Sequence, residues 1–466
     1  MTRPSRTSIQ GTGGMTRFYA PPETHFRPIS PGFYAVVNHR AQRPVSVVSA
    51  EATRILRTLV RGGTAAGLRK KFPDHSKGEI DGLLADLVKA ELLFEGCLPP
   101  IEDFPPAGMI AWLQITNRCN LRCRYCFITK TPEDMSQETA EGVVDALFRS
   151  VLIHGFSRLG IKFAGGEALL NLRAVFAAID RTEALRRELA DRLPADFQAH
   201  YELLSNGVAI SDLRLRQLRE RNIHLMISLD GLEPDHDAQR IFPDGSGSFV
   251  RVIRTLERVK RSGILFNISA VISNLNVEGI PAFVEFLLKE EIPFVLDFYK
   301  ETPCSAGDPS LRVEPERIIR SMKDAYAAIE RYLPPQSMLD SLLDMTRLGL
   351  LHDRPCGVGQ NYIAFDPRGR AVKCQMDFEG LVSDSSRPDP LGDIRADLRG
   401  IQNPPATEKP GCRDCRWIRF CAGGCPLLAY RTSGSYSARS PYCRVFKALV
   451  PEVIRLEGLR LLKWAE

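Results

Sequence analysis

Apolar positions along the chain alternate between two periods, and the switches between them mark out segments. Residues 33–39 and 45–48 are short β-type runs, followed by a helical face of Ala52, Ile55, Leu56 and Leu59 that Ser49 can cap and Gly62-Gly63 ends. Residues 64–72 predict a second short helix, stopped by Pro73. Ser76 and Glu79 form a capping box ahead of Ile80, Leu83, Leu84, Leu87 and Val88, and residues 92–94 read as a closing wing strand. Strands, three helices and a wing predict a winged-helix module over 27–96. Residues 1–26 read as a disordered tail, with Met15 a second candidate start, and Pro99, Pro100, Pro105 and Pro106 stiffen a linker over 97–108.

From 109 to 300 strands and helices alternate six times. Nearly continuous apolar runs at 110–115, 159–163, 201–204, 223–229, 266–272 and 294–298 are the strands, with helical patterns between them, as at 137–154 and 249–261. The expected fold class is α/β: a partial (β/α)6 TIM-type barrel, flanked by the winged-helix module and a C-terminal cysteine-rich domain. Working residues of such folds gather at the C-terminal strand ends. Residues 301–355 predict a helical bridge, 356–450 hold most of the cysteines, 376–411 read as a long loop, and 451–466 as a covering helix.

Composition narrows the class only slightly. With 466 residues, 44% hydrophobic and 25% charged, the chain has ordinary globular values, and a net charge of +6 demands no anionic partner. Charges interrupt every apolar stretch before membrane-spanning length, and the first residues lack the apolar segment of a signal peptide, so a cytoplasmic protein without membrane contact is expected. The twelve cysteines change the picture, because their dense clusters point to metal sites rather than disulfides.

Immediately after the first strand comes Cys119-Asn-Leu-Arg-Cys123-Arg-Tyr-Cys126-Phe127. Three thiolates at these spacings can hold three irons of a [4Fe–4S] cube, leaving one iron open for a small molecule. The string resembles the signature of the radical S-adenosylmethionine superfamily. That resemblance implies that the cofactor chelates the open iron and is cleaved to a 5′-deoxyadenosyl radical that abstracts a substrate hydrogen. Further motifs follow at strand ends: Gly165-Gly166-Glu167, Ser205-Asn206-Gly207, Ser228-Leu-Asp230-Gly231 and His236-Asp-Ala-Gln-Arg240. By the same resemblance Phe127, Gly165, Gly166, Glu167, Ser205, Asn206, Ser228, Asp230 and Arg240 bind the cofactor. Glu167 would pair with its ammonium, and the fork of Arg240 with its carboxylate.

The C-terminal cysteines resemble the seven-cysteine SPASM pattern: Cys356, Cys374, Cys412, Cys415, Cys421, Cys425 and Cys443. The resemblance implies two auxiliary [4Fe–4S] clusters, three clusters in all. Cys412, Cys415, Cys421 and Cys443 would hold the outer one, and Cys356, Cys374 and Cys425 the inner one, which lacks a fourth ligand. Substrate, Cys304 or a non-cysteine group can fill that place. Cys304 is alternatively a hydrogen donor to a substrate radical, or a small buried thiol. Asp297 is a candidate base at the end of strand six, with Tyr299 beside it.

Fused to such a core, the N-terminal module resembles the RiPP recognition element, which binds a leader peptide as an added strand. The function expected is a maturase of ribosomally made precursor peptides, forming a thioether or carbon–carbon crosslink or an epimer, with flavodoxin or ferredoxin as electron donor. An anaerobic sulfatase-type maturase is the second reading. A DNA-binding iron–sulfur regulator is the third, but the short basic run Arg69-Lys70-Lys71 does not favour nucleic acid.

Overall fold

The computed structural model describes residues 16–464 except 42, 101–106, 347, 350 and 351. Two compact units result, one of residues 1–102 with 454–466, the other of residues 103–453. Met15, most of the expected tail and much of the linker lie outside the described residues.

In the first unit, His25–Ser30, Phe33–Val37 and Val45–Ser49 form an antiparallel sheet in that order. Ser49 caps the helix Ala50–Thr58 by accepting from the Ala52 N–H, and Ser76 and Glu79 close a capping box on Lys77–Lys89. Each cap satisfies an orphan helix donor, a contribution of about 1 kcal/mol. Ile55, Leu56, Leu59, Ile80, Leu84 and Leu87 meet in one core. The expected tail is corrected here: Arg17–Tyr19 is the centre of a second small sheet, between Gly63–Thr64 and Phe94–Glu95. Three residues carry no readable period, and only their partners make them a strand. The final helix also starts earlier than expected, running Cys443–Lys463 with Pro451 inside it. Gly458 lets it approach the sheet, since a Cβ there would lie 2.7 Å from that of Ala35.

The second unit holds one nine-stranded sheet. Its first six strands are β1 (Gly108–Thr116), β2 (Arg158–Gly165), β3 (Gln198–Ser205), β4 (Ile223–Ser228), β5 (Phe266–Ile272) and β6 (Phe294–Phe298), all parallel and neighbours in chain order. Sequential order belongs to a barrel wall, whereas a doubly wound sheet reverses direction partway. Ala111, Leu113 and Ile115 of β1 are fully buried, and so are Leu159, Ile161 and Phe163 of β2, as expected for strands covered by helices. Ser136 caps the first crossover helix, Gln137–His154.

Three more strands extend this sheet beyond the barrel: β7 (Tyr362–Phe365), β8 (Arg370–Val372) and β9 (Leu381–Asp384). β7 lies parallel to β1, with Tyr362 opposite Ile110 and Phe365 opposite Leu113. The cysteine-rich segment is therefore built onto the barrel sheet. Two further expectations are corrected. Residues 301–355 contain one long helix, Pro315–Tyr332, and otherwise mostly turns. The stretch 376–411 is not a simple loop, because it holds β9 and the helix Pro390–Ala396. Asp389-Pro390 there is a cap followed by a first-turn proline, a pair equally at home in a turn. No described helix is long and apolar enough to cross a membrane.

Candidate functional site

The three clustered cysteines lie on the loop that leaves β1. Gly165 and Gly166, at the end of β2, press against the base of this loop: a Cβ on Gly165 would meet the Thr116 carbonyl at 2.4 Å, and one on Gly166 the Arg118 carbonyl at 2.1 Å. The sequence reading had these glycines admit a ligand; here they admit the backbone of the cysteine loop. The N–H groups of Gly166 and Glu167 complete the fit by donating to Thr116 and Arg118 carbonyls at 2.8 and 2.9 Å.

Each thiol faces a donor from a different element. Lys130 Nζ is 2.9 Å from Cys126 Sγ, Asn206 Nδ2 is 3.8 Å from Cys119, and Arg240 Nη1 is 3.9 Å from Cys123. Burial pushes Cys119 upward and Cys123 up to about 12, with Lys130 and Arg240 respectively among the groups opposing it. Thiols so desolvated become thiolates only with strong cationic help, which iron supplies. The donor set therefore fits a cluster. Phe127 packs against the buried cluster of Trp112, Ala164, Ala364 and Val372.

Glu167 is buried behind this loop. Its carboxylate accepts from Ser205 Oγ at 2.9 Å and from the backbone N–H groups of Asn206 and Leu169 at 2.8 and 3.2 Å. A carboxylate has about four acceptor positions, so roughly one remains for an ammonium. Asn206 also donates to Asn120 at 2.7 Å, tying the end of β3 to the cysteine loop. Ser228 ends β4 opposite Ser269 of β5.

Asp230 has its partners within the protein. Asp230 is completely buried, and both its oxygens are engaged: one by Tyr125 OH and Arg240 Nε at 2.6 and 2.7 Å, the other by the Val271 N–H at 3.0 Å. It holds Arg240 in place from a fully buried position. Arg240 also lies over the Tyr125 ring, 5.3 Å from its centre. His236 braces the same turn. Its Nδ1 accepts from the Asp230 N–H at 3.2 Å, so the proton sits on Nε2, which faces Ser248 Oγ at 2.9 Å. Burial pushes His236 down to about 4, so it stays neutral. Removing Asp230 would strand the Arg240 charge, and breaking such a buried pair costs about 3–5 kcal/mol. Asp230→Ala is expected to lose stability of that order in denaturant unfolding, and a loss under about 1 kcal/mol would contradict the role.

Asp297, on β6, lies deep in the protein yet keeps some exposure. Burial, then the charge of Asp344, pushes its carboxyl up to about 7, against the pull of Lys300 and Lys162. Lys300 pairs with Asp344 at 2.7 Å, and Tyr299 bonds Ser305 at 2.9 Å. The sequence reading missed Asp344 and Lys300, which carry no motif. Cys304 is exposed rather than buried. Its sulfur lies 3.7 Å from Thr129 Oγ1 and 3.6 Å from the Phe127 carbonyl, so its contacts are with the first cysteine loop.

Cys412, Cys415, Cys421 and Cys443 line one cavity with Trp417 and Phe446. Cys356, Cys374 and Cys425 pack in a second group around Val358, Tyr362 and Leu427. Cys97, in the first unit, stands exposed.

Comparison with known proteins identifies a domain. Residues 113–287 match the radical SAM superfamily. The uncharacterized protein MJ0907 of Methanocaldococcus jannaschii is 29% identical over 177 residues, which is 38% of this chain and 57% of that one. The radical SAM cyclopropyl synthase TigE of Paramaledivibacter caminithermalis is 25% identical over 381 residues, 74% of each chain. Among solved structures, native anSMEcpe with bound AdoMet and the Cp18Cys peptide shares the fold, with a TM-score of 0.58 at 19% identity, over 76% of this chain and 99% of that one.

Proposed function

With a radical SAM domain over residues 113–287 as premise, we propose that this chain is a radical SAM/SPASM maturase that modifies a ribosomally made precursor peptide. The observation that carries the reading is the gathering of the C-terminal cysteines into a group of four and a group of three on a segment joined to β1 through β7. A radical enzyme that only cleaves its cofactor needs one cluster; the added sets suit a substrate that must also give up an electron or be held by iron.

When bound, S-adenosylmethionine and the three four-iron clusters supply a hydrogen-abstracting radical and a route for the electron. The chain's own residues do the holding. Cys119, Cys123 and Cys126 carry the first cluster, Glu167, Ser205 and Asn206 face one end of the cofactor, and Arg240, steadied by Asp230, faces its carboxylate. Asp297 accepts a proton from the peptide. Cys412, Cys415, Cys421 and Cys443 carry the outer cluster, and Cys356, Cys374 and Cys425 the inner one. A leader segment adds as a strand to the N-terminal sheet, whose outer strand His25–Ser30 pairs on one side only among the described residues. A flavodoxin or ferredoxin is the electron donor, and the cytoplasm the compartment. A sulfatase-type maturase would share the core but has no use for the N-terminal unit.

Anaerobic reconstitution, dithionite, S-adenosylmethionine and a candidate precursor peptide test this together. About twelve irons, 5′-deoxyadenosine and a modified peptide are expected. A crosslink removes two hydrogens from the peptide mass, whereas epimerisation leaves the mass unchanged. A DNA mobility shift that follows cluster state, without any nucleoside, would refute the enzyme reading.

A further inference from the structure

Lys409 is among the largest fully buried side chains of the protein, with no exposed surface. Lysine is almost never fully buried without a partner, because its ammonium loses its hydration. Yet its Nζ has no hydrogen-bond partner among the described residues. Its surroundings give the reason. The groups that act on it electrostatically are Cys412 and Cys421 of the four-cysteine group and Cys356 and Cys425 of the other.

Two features hold the side chain there. The Lys409 carbonyl accepts from the N–H of Cys412 at 2.9 Å, anchoring its backbone at the start of the Cys412 loop. Its stem crosses the turn that joins Cys421 to Cys425: a Cβ on Gly423 would stand 2.8 Å from Lys409 Cδ and 2.9 Å from Nζ. Gly423 has φ +81°, so glycine is favoured there both by backbone and by space. That turn carries one cysteine of each group, and the ammonium rests on it.

Thiolate-bound clusters are anionic and become more so on reduction. Their potentials respond to nearby charge, hydrogen bonds to sulfur and solvent exposure. Charge interactions in a water-poor interior are larger than at the surface. We propose that Lys409 is a shared potential-setting cation of the two auxiliary iron–sulfur sites, an unpartnered ammonium lodged between them that makes both easier to reduce. Lys409 is a positioning charge rather than a cluster ligand. The inference rests on the three-cluster reading above.

The test uses the full-length reconstituted protein, with Lys409→Met and Lys409→Arg beside wild type. Iron is counted, and midpoint potentials are measured by electron paramagnetic resonance during redox titration. The first cluster's signal is recognised by its change on adding S-adenosylmethionine. Lys409→Met should keep its iron and shift both auxiliary potentials downward, leaving the first cluster unmoved, while Lys409→Arg stays near wild type. Unmoved potentials at full iron, or equal shifts in the Met and Arg variants, would overturn the proposal. If Lys409→Met loses auxiliary iron, Lys409→Gln takes its place under the same criterion. Loss from both would also overturn the proposal, since the lysine would then serve assembly. Wild type holding only about four irons would instead remove the three-cluster reading, and this inference with it.

Discussion

A Cys126→Ala chain is expected to cleave no S-adenosylmethionine above background while retaining about eight of about twelve irons. On the proposed reading Cys119, Cys123 and Cys126 hold the first cluster, and losing one would leave too few thiolates to keep a cube against solvent. The loss should be local. The loop is carried by β1 and tied to its neighbours by the backbone contacts of Gly166 and Glu167 and by Asn206. The other cysteine groups belong to residues 356–443, whose strand β7 pairs with β1 through backbone at Ile110–Leu113, before the loop begins. Iron analysis and chromatography of 5′-deoxyadenosine check both halves. Nucleoside formation at the wild-type rate would remove this loop from the chemistry, and loss of all iron would mean that the three sites assemble as one.

Asp297→Asn should slow peptide modification by about 10²–10⁴-fold, the usual worth of a positioned general base. Nucleoside formation should persist, because the cysteine loop is untouched. The sign of the pH dependence follows from the carboxyl being pushed up to about 7 by burial and by Asp344. A base must be deprotonated to act, so modification by the wild type should rise with pH through about 7 and level off above it. The groups bearing on that titration are Asp344, Lys300 and Lys162. Asp344→Asn removes the neighbouring charge and should move the midpoint of the profile to lower pH while leaving a working base. Product formed by Asp297→Asn within a few-fold of wild type would end the assignment. An equal fall in nucleoside and product would make the residue a structural one.

What could be read in advance was local. The six barrel strands announced themselves as apolar runs, and the helix Lys77–Lys89 as an apolar face capped by Ser76, because period and capping depend on residues within a few positions. The cysteine spacings were equally plain, since ligands carried on one short loop must be close in sequence. The radical SAM match over residues 113–287 takes in the first of these spacings. Tertiary structure decided what depends on distant partners. Arg17–Tyr19 is a strand only because Phe94–Glu95 and Gly63–Thr64 flank it. β7 joins a strand some 250 positions earlier, and no periodicity in Tyr362–Phe365 names Ile110 as its neighbour. That Asp230 binds Tyr125, Arg240 and the Val271 N–H depends on residues up to about a hundred positions away. Asp344 beside Asp297, and Lys409 among the cysteines, belong to no motif. Charge acts through space and burial, and neither is a property of neighbouring residues in a sequence; the chain alone therefore spelled out which chemistry it carries, and folding alone settled which charges surround it.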